Sequence, residues 1–180
     1  MGEINQESKV EIEKPEVLYH ASSSKDIEEF EPREESVRDP NEGPVVFATP
    51  DMAYASCFIV PSNDNWSQKS IFRTQSGETT HVVIISDKER FQELDKGGAI
   101  YSLPSDKFET DLEKNMKDRE WVSKEPIKPS GKIEYKTGLQ AMLENGVQVY
   151  FVDRDTFEKI QKSDDHGFEI IKTLKPEQIK

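Results

Sequence analysis

The chain has 180 residues, 36 acidic against 24 basic side chains for a net charge of −12, and one cysteine. That length suits one domain around one core. The acidic balance disfavours a nucleic-acid partner, Cys57 alone excludes an internal disulfide, and no apolar run approaches the roughly 18–20 residues of a membrane span.

Residues 1–15 alternate Glu, Lys, Gln and Ser with few apolar anchors and read as a flexible N-terminal tail. They lack a basic-then-apolar signal segment, so a cytoplasmic protein is the expectation, with residues 16–180 as its single domain. Residues 17–20 are a short apolar and aromatic strand, followed by a polar turn and by Ile27 and Phe30 on a brief amphipathic turn. Residues 33–44 are charged and rich in breakers, an exposed loop. Residues 45–48 form a second buried strand. Thr49-Pro50-Asp51 then predicts a helix capped by the Thr49 hydroxyl, with Met52, Ala55, Phe58 and Ile59 on one stripe and Pro61 as the stop.

A polar loop over 62–69 holds Trp66, where an exposed indole would serve as a lid or acceptor contact. Strands follow near 69–74 and 80–86, the second apolar enough at His81-Val82-Val83-Ile84-Ile85 to lie centrally in a sheet. Residues 88–94 read as a helix closed by Gly97-Gly98, and 99–103 and 121–123 as strands. Residues 127–135 are extended but confined to an edge by Pro126 and Pro129. A helix over 137–144 ends at the Asn145-Gly146 cap, 147–152 is a strand, and Asp155-x-x-Glu158 is a capping box opening a last helix. Strands in the middle with short scattered helices predict an α+β fold on a mostly antiparallel sheet.

Three pieces carry chemistry. Tyr19-His20-Ala21-Ser22 closes the first strand, Phe47-Ala48-Thr49 closes the second with Phe58 eleven residues after Phe47, and Glu120-Trp121-Val122 opens a third. In order and spacing they resemble the ADP-ribosyltransferase superfamily, the group with diphtheria-type toxins and poly-ADP-ribose polymerases, over residues 17–135. That resemblance implies a split, mostly antiparallel sheet with short flanking helices. It implies NAD as a substrate, no metal, and transfer of ADP-ribose to a protein or small-molecule acceptor.

Carried over, it makes Glu120 and His20 the catalytic candidates. Glu120 would stabilise oxocarbenium character on the ribose, and His20 would hydrogen-bond a ribose hydroxyl. His20, Ala21, Ser22, Phe47, Thr49 and Phe58 would line the nucleotide site. Tyrosines are usual where Phe47 and Phe58 stand. The phenyl rings keep the stacking surface but lose a hydroxyl each, about 0.5–1.5 kcal/mol per hydrogen bond. Glu125 and Glu134 rank second and third as the reactive carboxylate.

Two other readings stay open: a non-catalytic nucleotide- or protein-binding module on the same scaffold, and a tRNA 2′-phosphotransferase-like enzyme, which the acidic chain disfavours. His81 and His166 lie far apart without ligand-spaced partners, giving no zinc signature. Cys57 reads as a buried structural thiol rather than a nucleophile.

Overall fold

The computed structural model describes residues 13–34, 43–73, 77–110 and 119–178; most of the predicted tail, much of the predicted 33–44 loop and part of the charged run before Glu120 lie outside the described residues. The chain is α+β, with mostly antiparallel strands and short helices.

Three ladders form it. β1 (Val17–Ser22), β5 (Gly98–Pro104) and β7 (Gly131–Tyr135) pair antiparallel in the order β1-β5-β7, with β7 at the edge. β2 (Val46–Ala48) pairs antiparallel with β6 (Trp121–Ser123), placing Phe47 opposite Val122. β3 (Ser67–Arg73) and β4 (Thr79–Ile85) form an antiparallel hairpin, and β8 (Gln148–Phe151) joins β4 in parallel. A reciprocal pair of backbone bonds, Tyr19 N–H to Thr49 at 2.7 Å and Thr49 N–H to Tyr19 at 3.0 Å, stitches β1 to the end of β2.

β4 is central because it is buried on both faces. Val83 and Ile85 pack with Phe91, Met142 and Val149, beneath α2 (Lys88–Leu94) and α3 (Gly138–Glu144). Val82 and Ile84 pack the other way, against Phe157 and Ile160 of α4 (Arg154–Lys162) and Ile171 of α5 (Phe168–Ile171). A continuous apolar run is what two buried faces require. A further cluster of Leu18, Phe30, Val46, Tyr101, Phe108 and Trp121 underlies β1 and β2.

Two helix starts differ from the sequence expectation. α1 (Met52–Ser56) is capped by the Asp51 carboxylate, which accepts from the Tyr54 amide at 3.0 Å; the Thr49 hydroxyl instead accepts from the Asp51 amide at 3.1 Å. A carboxylate also opposes the helix dipole better than a hydroxyl does. α1 ends at Ser56, so Phe58 lies beyond it and is 45 % exposed rather than on a buried stripe. α4 is capped by Asp153, accepting from the Thr156 amide at 2.7 Å, and not by Asp155. Asn145-Gly146 does close α3, with Gly146 alone left-handed at φ 79°.

Trp66 is not an exposed lid. It is 4 % exposed, packed with Cys57, Val60 and Phe91, with the Arg90 guanidinium 5.4 Å from its ring centre. The Asn63–Ser67 turn folds the indole inward, because Ser67 already begins β3 and the Trp66 carbonyl accepts from the Ser86 amide. Its indole N–H is buried and has no partner among the described residues, a cost of about 1–3 kcal/mol that the large apolar contact must outweigh.

Candidate functional site

Side chains from three separated segments meet on one cavity of about 430 Å³. β1 contributes Tyr19, His20 and Ala21; the stretch from β2 through α1 contributes Phe47, Ala48, Thr49, Tyr54 and Ala55, with Phe58 just past the helix; Glu120 stands immediately before β6. The local reasons are simple. Strand alternation buries Val46 and Ala48 and turns Phe47 to the opposite face. Pairing of Ala48 with Trp121 sets Glu120 beside the end of β2. The Thr110 hydroxyl holds the Glu120 carbonyl at 2.9 Å, fixing the backbone that carries the acid.

His20 is gripped by its surroundings. Its Nδ1 lies 2.6 Å from the Phe47 carbonyl, and its ring rests 4.6 Å from that of Phe30. A carbonyl only accepts, so Nδ1 carries the proton. Burial pushes the imidazole below its ordinary pKa and nearby Arg33 adds to that, while the Phe47 carbonyl opposes them in part. The ring is therefore neutral near pH 7, with Nε2 as a hydrogen-bond acceptor.

Tyr54 is the functional candidate that the sequence reading missed. Its hydroxyl donates to Glu120 Oε1 at 3.2 Å, and its ring meets Phe58 edge-on at 5.1 Å. A phenol thus reaches the carboxylate in a site where Phe47 and Phe58 carry no hydroxyl. The available signal was spacing: on the helix that the sequence predicts there, Tyr54 and Phe58, four residues apart, would be surface neighbours.

The other expected residues sort clearly. Ala21, Phe47, Thr49 and Phe58 line the cavity. Ser22 does not line it; its hydroxyl accepts from the Ser24 amide at 3.1 Å within the turn. Glu125 pairs with Lys107 at 2.9 Å and Glu134 with Lys132 at 2.7 Å, both largely exposed and away from the cavity. Cys57 is buried at the end of α1, its thiol donating to the Ala53 carbonyl, and burial pushes its pKa up to about 12. A thiol so raised is no nucleophile near neutrality. Among the described residues, no cluster of three or more His, Cys, Asp or Glu side chains could hold a metal ion, and no helix is long and apolar enough to cross a membrane.

Behind Tyr54 lies a supporting pair. Asp51 Oδ2 is 2.7 Å from Nε2 of His81, which is only 6 % exposed, while Oδ1 caps α1 at the Tyr54 amide. Burial raises the Asp51 pKa, but the hydrogen bonds from His81 and the Tyr54 amide outweigh it and hold the carboxyl below its ordinary value. A depressed folded-state pKa gives stability that is present above the unfolded value of about 3.9 and lost as pH falls through the folded one. Asp51→Ala is expected to lower stability by about 2–4 kcal/mol, roughly 1 for the cap and 1–3 for the orphaned imidazole. Urea unfolding at neutral pH measures this, and the gap between variant and wild type should narrow below about pH 4.

Taken together, the fold and the cavity define an α+β protein with an aromatic-walled cleft that presents one imidazole and one carboxylate supported by a phenol. A model for a family of unknown function (DUF6886) matches residues 19–173, and the chain belongs to that family. The match takes in every lining residue of the cleft. No curated protein and no solved structure matches the chain.

Proposed function

We propose that the cleft binds a nicotinamide dinucleotide and that the chain transfers its ADP-ribose to a protein or small-molecule acceptor. The observation that carries this reading is convergence: His20, Phe47, Thr49, Phe58 and Glu120, taken from segments up to a hundred residues apart, border one cavity of about 430 Å³. That size lies within the roughly 300–1,000 Å³ of small-molecule sites. Phe47 and Phe58 offer faces for the nicotinamide ring. The His20 Nε2 lone pair suits a ribose hydroxyl, and the Thr49 hydroxyl, whose oxygen already accepts from Asp51, donates to no acceptor among the described residues and so has a proton to offer a ligand.

When the nicotinamide–ribose bond breaks, its electron pair leaves on the ring nitrogen and positive charge develops on the ribose. Glu120 stabilises that charge, and the Tyr54 hydroxyl keeps the carboxylate from swinging away. A cytoplasmic setting agrees with a single buried thiol that needs no oxidising compartment.

Calorimetric titration of NAD into wild type and His20→Ala tests the binding half. We expect wild type to bind at millimolar or better affinity, and His20→Ala about three- to tenfold more weakly, the worth of one hydrogen bond. Wild-type affinity should be level from about pH 7 to 8 and fall below about pH 6.5, where protonation removes the Nε2 acceptor. His20→Ala should show no such fall. Absence of any heat with wild type ends the nucleotide reading.

A further inference from the structure

A second cavity, of about 420 Å³, lies on the other side of Tyr54 and Phe58, which border both hollows. Its walls combine apolar surface from Phe58, Ile71, Phe72 and Val82 with the polar groups of Lys69, His81, Asp165 and His166. The sequence keeps the two histidines 85 positions apart; β4 and the turn before α5 bring them to one space.

Lys69 is the informative residue. Its ammonium donates to the Ser62 hydroxyl at 2.7 Å and lies 5.1 Å from the centre of the Phe58 ring, but among the described residues no carboxylate comes within ion-pair distance. Burial pushes its pKa below the ordinary lysine value, and the Asp64 carboxylate, beyond ion-pair distance, opposes that only in part. The carboxylate in the lining, Asp165, spends its two oxygens on the amides of Gly167 and Glu169. His81 gives Nε2 to Asp51, and among the described residues its Nδ1 has no protein partner. A part-buried ammonium without an ion-pair partner among the described residues, a half-committed imidazole and two phenyl side chains around one hollow suit a ligand with an anionic head and an apolar body.

We propose that this second cavity binds a small organic acid, a carboxylate or phosphate monoester carried on an aromatic or similarly apolar body, with Lys69 as its counterion. The site stands whether or not the neighbouring cleft holds a nucleotide.

Benzoate, phenyl phosphate and inorganic phosphate, titrated separately into the full chain, test it by calorimetry and by the imidazole proton resonances of His81 and His166. We expect benzoate or phenyl phosphate to bind and to move both histidines' signals, and inorganic phosphate to bind about tenfold or more weakly for want of the apolar contact. Whichever head group wins assigns the ligand class. Lys69→Met, which keeps the stem but not the charge, should weaken binding about tenfold or more, and Lys69→Arg should retain most of it. Equal affinity in wild type and Lys69→Met overturns the proposal. So does binding that leaves both imidazoles unmoved, a readout on wild type that survives any folding defect of the variants. NAD titration into the same samples separates failure here from failure in the first cleft.

Discussion

Glu120→Gln is expected to lower NAD turnover by roughly 10²–10³-fold while leaving NAD affinity nearly unchanged, because it removes a charge that matters most when the ribose becomes cationic. The substitution keeps shape, and the amide oxygen can still accept from the Tyr54 hydroxyl now 3.2 Å from Oε1. Loss of turnover would therefore not come from collapse of the wall. Tyr54→Phe should be milder, about three- to tenfold, because it removes only the hydrogen bond that holds the carboxylate. Single-turnover release of nicotinamide with saturating NAD, alongside calorimetry, separates the chemical step from binding. Should wild type bind NAD yet hydrolyse it no faster than Glu120→Gln, the cleft is a binding module and the transfer reading is lost. Phe47 and Phe58 bear on that alternative, since a phenyl ring offers a ligand a stacking surface but no polar handle.

The second large effect concerns stability. Gly97→Ala is expected to cost about 2–5 kcal/mol, a large share of the roughly 5–15 kcal/mol that stabilises a typical domain. Gly97 has φ 72°, and a Cβ there would lie 2.4 Å from the carbonyl oxygens of both Tyr135 and Lys136. The left-handed backbone alone costs a side chain about 1–2 kcal/mol, and the backbone overlap about 1–3 more. The position matters to the site because it immediately precedes β5, whose Tyr101 lies opposite His20 in the ladder. It also adjoins Asp95, which accepts from the Gly97 amide and from the Leu139 amide at the start of α3. Gly146→Ala is the informative comparison: φ is 79° but nothing lies within 4 Å of the added carbon, so only the conformational cost of about 1–2 kcal/mol applies. Urea midpoints for the two variants should differ clearly; equal midpoints would mean that the β5 corner yields and the close approach carries no cost.

Much of the scaffold was legible because local signals agreed with tertiary ones. The run from His81 to Ile85 announced a strand buried on both sides, and Gly146 announced the end of α3. Helix caps were harder. Thr49 and Asp51 both suit an N-cap, and the choice rests on Asp51 also having His81 to pair with, thirty residues away. Trp66 misled for a related reason: its neighbours are polar, and local polarity says nothing of an indole turned under Arg90 into a core built from α1, β4 and α2.

The candidate site divides along the same line. By itself the sequence placed β1, β2 and β6 close to their observed positions, although β1 runs two residues past the expected end at His20, to Ser22; short-range patterning locates strands in this way, and so it marked His20, Phe47 and Glu120 as chemistry near strand ends. Only the tertiary structure decided that these edges border one hollow, that Tyr54 reaches Glu120, that Ser22, Glu125 and Glu134 stay outside, and that Lys69, His81 and His166 share a second cavity. Those facts depend on the register between strands and on the turn into α5. Long-range packing sets both, and neither has a period that a single chain of letters can display.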